Sequence, residues 1–424
     1  MINASRLFWR NYTKAGTPEL VNASTGMEEQ RLFIRRALER DPRHLNVGFE
    51  PEKAQWFASH YGAGQVRRLM PFAKELVYER AAENGWKIAG LKKGDRVAII
   101  YDNSRAGMAD AFHEAAVLIT GTPGNVIMLN IDDEERYGQR PFTSRNTRLH
   151  ADMGRFRPTH TFFAAEGKEG EVSFRIPLIK YCTHTRKCAH AHSPGLTPWM
   201  MADGMFAPHE EMVRITKAVQ GVVKDAAKVR VTTKAGTDMT YDVGKFGWVA
   251  SHSIGRGAMG NLPMAEIFTC PANANGTMVV DGVLGDDFIG YGPLKETPVR
   301  LSVMEGRVVY VECVNGELKA RLIEYMKRDE NANRIGELGI GTNTHLVGHN
   351  GTGFVGNMLQ DEKNGSCVHT AVGNPDPDET GADWNSKVHC DGLMRDSTIT
   401  VTLRSGQEIV IMKDGKFTPI ITGG

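Results

Sequence analysis

The spacing of apolar positions changes part-way along the chain. In residues 67–85, RRLMPFAKELVYERAAENG, apolar side chains recur at helical spacing up to Gly85. DRVAIIYDN (95–103) is a short apolar run and predicts a buried strand. ADAFHEAAVLITG (109–121) predicts a helix, and NVIMLNID (125–132) a second strand. Strand, helix and strand in that order point to a parallel α/β layer. HEEMVRITKAVQGVVKDA (209–226) is a strongly amphipathic helix. Beyond it the period falls to two: KVRVTTKAGTDMTYDVG, GTMVVDGVLG, VRLSVMEGRVVYVEC and STITVTLRSGQEIVIMKDGK alternate between glycine-containing turns. The pattern therefore predicts an α/β N-terminal domain followed by a β-rich α+β domain. The expected divisions are an N-terminal extension (1–60), an α/β domain with a basic insertion (61–228) and a β-rich catalytic domain (229–424).

Composition narrows the function classes. Apolar residues make up 41% and charged residues 24%, as in globular proteins. Lys and Arg total 51 against 50 for Asp and Glu, a net charge of +1, so neither nucleic acid nor an anionic membrane is the expected partner. No apolar run approaches the roughly 20 residues of a membrane span. The start, MINASRLFWRNYTKAG, lacks the apolar core of a signal peptide, so a cytoplasmic location is expected. The cysteines Cys182, Cys188, Cys270, Cys313, Cys367 and Cys390 have no framework spacing, which predicts free thiols.

The chemistry lies in the β-rich half. SKVHCDGLM (386–394) places His389 and Asp391 two apart, which on a strand aims both at one face. NLPMAEIFTCP carries Glu266 inside an apolar run, RIGELGIGTN carries Glu337, and LQDEKNGSCVHTAVG carries His369. Carboxylates among apolar neighbours are costly to bury unless paired or bound to metal. Three carboxylates and two imidazoles suit two divalent ions held a few ångströms apart.

These blocks, in order from AGTDMTYDVG (235–244) through NLPMAEIFTCPANANGTMVV, IGELGIGTN and DEKNGSCVHTAVG to SKVHCDGLM, resemble the M29 metallopeptidases of the aminopeptidase T and S type. The resemblance implies a hydrolase using a metal-activated water, with two divalent ions (Zn, Co, Mn or Fe) on Glu266, Glu337, His369, His389 and Asp391. It implies a short-peptide or small-molecule substrate and a homodimer or higher homo-oligomer. Glu337 is the expected proton carrier and Glu266 the expected shared ligand. One departure stands out: a tyrosine follows the corresponding His-x-Ala-x-Gly segment in the family, whereas NPDPDETGAD (374–383) has none. The alternative is the 2,5-dihydroxypyridine dioxygenase type, similar in fold, with one Fe(II) on two histidines and a carboxylate. His369, His389 and Asp391 would supply that set.

Three further features carry expectations. The arginine-rich stretch containing Arg140, Arg145, Arg148, Arg155 and Arg157 is either a solvated surface or the lining of an entrance for an anionic substrate. YCTHTRKCAHAHSP (181–194) is expected to be a loop near that entrance, with a separate metal site on its Cys and His residues as the alternative. The glycines from Gly336 to Gly356 lack the Gly-Lys-Ser/Thr of a phosphate loop and are expected to form tight turns around Glu337. His345 and His349, in the same glycine-rich run, are poorly placed to share a helical face.

Overall fold

The computed structural model describes residues 78–423 apart from 138–144, 168–170, 198–199, 202 and 347–352. The expected N-terminal extension and Arg140 lie outside the described residues. Two compact units divide between Phe206 and Ala207, with Arg256–Ala258 joining the first. The helix His209–Val223 therefore belongs to the second unit and precedes the change of period near residue 228.

The first unit is an α/β layer. Its elements are β1 (Val97–Tyr101), α1 (Ala106–Thr120), β2 (Val126–Asn130), α2 (Arg145–Phe156), β3 (His160–Ala165), α3 (Val172–Lys180) and β4 (Ala189–Pro194). The strands run parallel in the order β2-β1-β3-β4. Helices cover both faces, and the strand residues divide accordingly. Ala98, Ile100 and Phe163 pack with Leu149 and Met153 of α2 and Phe174 and Leu178 of α3. On the other face Phe162 stacks on Phe112 of α1 at 3.7 Å, with Trp86 edge-on to both. The Trp86 indole N–H donates to the Phe112 carbonyl at 2.8 Å, so its polar atom is satisfied where the ring is fully buried.

The basic and Cys/His-rich stretches fall in this unit. Arg145 reaches the Ile131 carbonyl and Asp132, while Arg136, Arg148 and Arg155 converge on Asp152. These guanidiniums are matched by acids of their own unit, which does not favour an entrance lining. The 181–194 segment is not the expected loop. It is a π-helical turn (Tyr181–Thr185) leading into β4, with Cys182, Cys188, His190 and His192 buried. Arg175 can only donate to His192 Nε2 (3.4 Å), which makes His192 Nδ1 the donor to His190 Nε2 (3.1 Å) and His190 Nδ1 the donor to Thr161 (2.8 Å). Burial lowers the pKa of both imidazoles, His190 to about 3. Neutral, mutually bonded rings satisfy a buried strand without any ion.

The second unit is antiparallel and β-rich. After α4 (His209–Val223) come β5 (Ala226–Thr232), β6 (Asp238–Asp242), β7 (Trp248–Ser251), β8 (Met259–Asn261), β9 (Glu266–Thr269), β10 (Asn273–Val280), β11 (Val299–Met304) and β12 (Arg307–Glu312). Then follow α5 (Gly316–Tyr325), β13 (Ile335–Gly341), β14 (Val368–Gly373), β15 (His389–Met394), β16 (Thr398–Leu403), β17 (Glu408–Lys413) and β18 (Lys416–Phe417). An eight-stranded sheet has the order β12-β11-β10-β6-β5-β16-β17-β18, and a five-stranded sheet the order β15-β14-β13-β9-β7. Their facing sides share one core, to which α4 adds Ile215, Val219 and Val223. The five-stranded sheet contributes Ile267, Leu338, Ile340, Val368 and Val372, and the larger one Val229, Val231, Tyr241, Met278 and Val280. Tyr241 is fully buried, and its hydroxyl bonds Thr370 at 2.8 Å across the core. Among the described residues no helix is long and apolar enough to cross a membrane. The cysteines are all free, and five are buried, as their spacing led us to expect.

Candidate metal centre

The core contacts fix which face each strand of the small sheet turns inward. Leu338 and Ile340 point into the core, so Glu337, Gly339 and Gly341 take the other face. By the same alternation His369 and Ala371 of β14 oppose Val368 and Val372. His389 and Asp391 of β15 oppose Cys390 and Met394, and Glu266 of β9 opposes Ile267. All five expected ligands thus lie on one face of one sheet, on four of its strands.

Small residues stand beside them in the register. Gly339 pairs with His369, Gly341 with Glu266, Gly373 with His389, and Ala371 with both Glu337 and Asp391. A Cβ at Gly339 would collide with the His369 ring. Gly336, Gly339 and Gly341, expected in turns, are instead strand residues of β13; Gly339 leaves room for the His369 ring, while Gly336 and Gly341 let the backbone at Gly373–Asn374 and Lys363–Asn364 approach closely. Gly353 and Gly356, with φ of 81° and 75°, do occupy the left-handed conformation of turns.

The side chains form two overlapping triads. Glu266, Glu337 and His369 make one, and Glu337, His389 and Asp391 the other, each with its donor atoms within 4.8 Å of one another. His369 Nε2 is 3.1 Å from Glu337 Oε1 and 3.4 Å from Glu266 Oε2. His389 Nε2 is 3.7 Å from Glu337 Oε2 and 3.2 Å from Asp391 Oδ2. Glu337, expected as both a ligand and the proton carrier, is the carboxylate common to both triads. Glu266, expected to be shared, belongs to one. His369 groups with the two glutamates rather than with His389 and Asp391.

The residues present fit divalent ions. His389 Nδ1–H donates to the Asn374 carbonyl at 2.8 Å, which fixes the tautomer and leaves the Nε2 lone pair facing the carboxylates. The His389 backbone N–H is held by the hydroxyl of Tyr325 at 3.0 Å. Asp391 Oδ1 and His369 Nδ1 are buried and have no hydrogen-bond partner among the described residues. An acceptor oxygen left over beside a further carboxylate and an imidazole suits a cation ligand.

Without an ion, protons do that work. Burial pushes His369 down, but the Glu337 hydrogen bond and the charges of Glu337, Glu266 and Asp391 overcome it and raise the pKa to about 9. His389 is likewise raised well above its ordinary value, against burial, by Asp391, Glu337 and the Asn374 carbonyl. Burial raises Asp391, yet His389 and His369 bring it down to about 2. The sign of the linkage follows. For His369 the stabilisation is complete below its ordinary value of 6.5 and disappears as pH rises through about 9. A divalent ion must displace the imidazole protons. Metal affinity is therefore expected to climb from pH 6.5 to about 9, with protons released on binding. Calorimetric titrations in buffers of different protonation enthalpy read this directly, and buffer-independent heats at pH 7 would contradict it.

Residues that sequence reasoning passed over complete the site. Lys363 Nζ lies 2.5 Å from Glu266 Oε1 and 2.7 Å from Glu362 Oε1. It sits in DEKNGSCVH, quoted above for His369 alone, and a lysine flanked by acids before a ligand histidine was the available signal. Tyr325 and Asn374 act through a hydroxyl and a backbone carbonyl, which no motif marks. In the segment lacking the family tyrosine, Glu379 has its carboxyl raised to about 7. The residue is exposed; the causes are partial desolvation and the charges of Asp376, Glu266, Glu337 and Asp378. Cys367 and Cys390 are buried small residues beside the ligands, as expected. His349 lies outside the described residues, and among these residues no metal-binding group includes His345.

No curated protein matches the chain in sequence. Among solved structures it resembles AmpT from Thermus thermophilus, at 18% identity over 81% of this chain and 99% of that one, with a TM-score of 0.59. It also resembles a 2,5-dihydroxypyridine dioxygenase from Pseudomonas putida, at 18% identity over 80% and 96%, with a TM-score of 0.57. At this identity the two likenesses establish the fold. Residues 208–417, which hold every side chain of the centre, match the family of thermophilic metalloproteases M29.

Proposed function

We propose that the chain is a divalent-metal-dependent hydrolase that cleaves an amide, peptide or related C–N bond of a small substrate or short peptide. The observation carrying this reading is the pair of triads sharing Glu337 on one sheet face. Two divalent ions (Zn, Co, Mn or Fe) would supply Lewis acidity and a water of lowered pKa. Glu266, His369, His389 and Asp391 would hold them, with Glu337 in the shared place. A carboxylate committed to both triads is a poor proton carrier. Tyr325 and Asn374 orient His389.

A ring-cleaving dioxygenase is the second reading, favoured by the fold likeness to such an enzyme. It needs His369, His389 and Asp391 as one three-residue set. The grouping of His369 with Glu266 and Glu337 speaks against it, as does the retention of those two carboxylates. The experiment is an assay of chelated protein against small amides and peptides. We expect redox-inert zinc to restore activity under nitrogen. Glu266→Ala should weaken metal binding and remove most of that activity. Strict dependence on Fe(II) and oxygen would end the hydrolase reading.

A further inference from the structure

Lys363 takes no part in that chemistry, yet its ammonium is buried within the site, the side chain only 3% exposed. Burying an ammonium is costly unless carboxylates surround it, and Glu266 and Glu362 do so. The contact is one-sided. Glu266 turns Oε1 to Lys363 and Oε2 to His369. Among the described residues its ion pairs are with Glu266 and Glu362; its charge also reaches Asp391 of the other triad, but from beyond ion-pair distance. One triad thus offers a cation two carboxylates of which one is already matched by an ammonium in contact. The other offers Glu337 and Asp391 with no ammonium in contact. Repulsion between the ammonium and a divalent ion falls with distance, so it acts most on an ion beside Glu266.

We propose that Lys363 sets the two metal positions apart, keeping the one at Glu266, Glu337 and His369 weak and exchangeable while the one at Glu337, His389 and Asp391 stays tight. The assignment rests on reading the five side chains as a divalent-metal centre. It follows that the full chain at scarce metal holds one ion, and that the second joins only as the free concentration rises. Lys363 is a positioning residue here: it meets the ligand Glu266, not the substrate.

The test is a titration of the chelated full-length chain with Co2+, followed by calorimetry and by visible absorption. The wild type should bind in two unequal steps. Lys363→Met should tighten the weaker step by about tenfold or more, a modest result for removing one unit charge a few ångströms away, and leave the tighter step in place. Glu266→Gln should delete the weaker step alone, which keeps the test open if Lys363→Met fails to fold. Equal steps in the wild type, an unchanged or weakened second step in Lys363→Met, or loss of the tighter step in Glu266→Gln would each overturn the role of Lys363 while leaving the metal centre standing. No Co2+ binding by the wild type would bring down the metal-centre reading, and this one with it.

Discussion

Replacing His389 with alanine will abolish turnover and leave the fold in place. His389 supplies the nitrogen of its triad, and Asp391 and Glu337 alone cannot reproduce a three-residue set. The expected loss is roughly 10² to 10³-fold or greater, the scale of removing one electrostatic contributor from a preorganised site. The fold should survive because the ring is partly exposed, at 38%, and outside the core shared by the two sheets. Its backbone N–H keeps its bond to Tyr325. Circular dichroism should match the wild type, and unfolding should stay cooperative. A variant that is globally unfolded would mean that the side chain is structural, and a variant retaining full activity would remove His389 from the centre.

Gly339→Ala is expected to have an effect out of proportion to one methyl group. The added Cβ meets the His369 imidazole, and His369 cannot retreat without leaving Glu337 and Glu266. Overpacking of this kind costs about 1–3 kcal/mol, which should appear as a lowered unfolding midpoint. The larger consequence is for metal. With His369 turned aside the triad it completes is broken, so on the proposed two-ion reading one ion should be lost and activity with it. The measurement is metal content by mass spectrometry beside a thermal melt. Native content and a native midpoint together would show that the sheet accommodates the methyl group and that the glycine is dispensable.

The ligands were legible from the chain because each sat in a place that propensity could not explain: Glu266 and Glu337 inside apolar runs, His389 and Asp391 at strand spacing. The parallel strands around Val97–Tyr101 and Val126–Asn130 were legible for the converse reason, as apolar runs with nothing polar to account for. What escaped notice was the negative space. Gly339, Gly341, Gly373 and Ala371 matter for the volume they leave empty, and register between strands is not written in any local window. Lys363 escaped because its partner Glu266 is remote in sequence. The 181–194 cluster misled because Cys and His also occur as buried, mutually satisfied residues, and only the tertiary partners Thr161 and Arg175 distinguish that from a site.

The placement of the ligands on four strands of one antiparallel sheet has a consequence for the order of folding. No single strand holds more of the set than His389 and Asp391, and β9, β13, β14 and β15 must all pair before two triads exist. Contacts this distant in sequence close late and slowly. The ion therefore cannot nucleate the domain in the way zinc organises a finger. It can only arrive at a finished sheet, and a single-residue slip of β14 or β15 would turn the histidines into the core and the valines outward. Tight uptake of metal by a refolding chain is thus a stringent sign that the last strand has found its register.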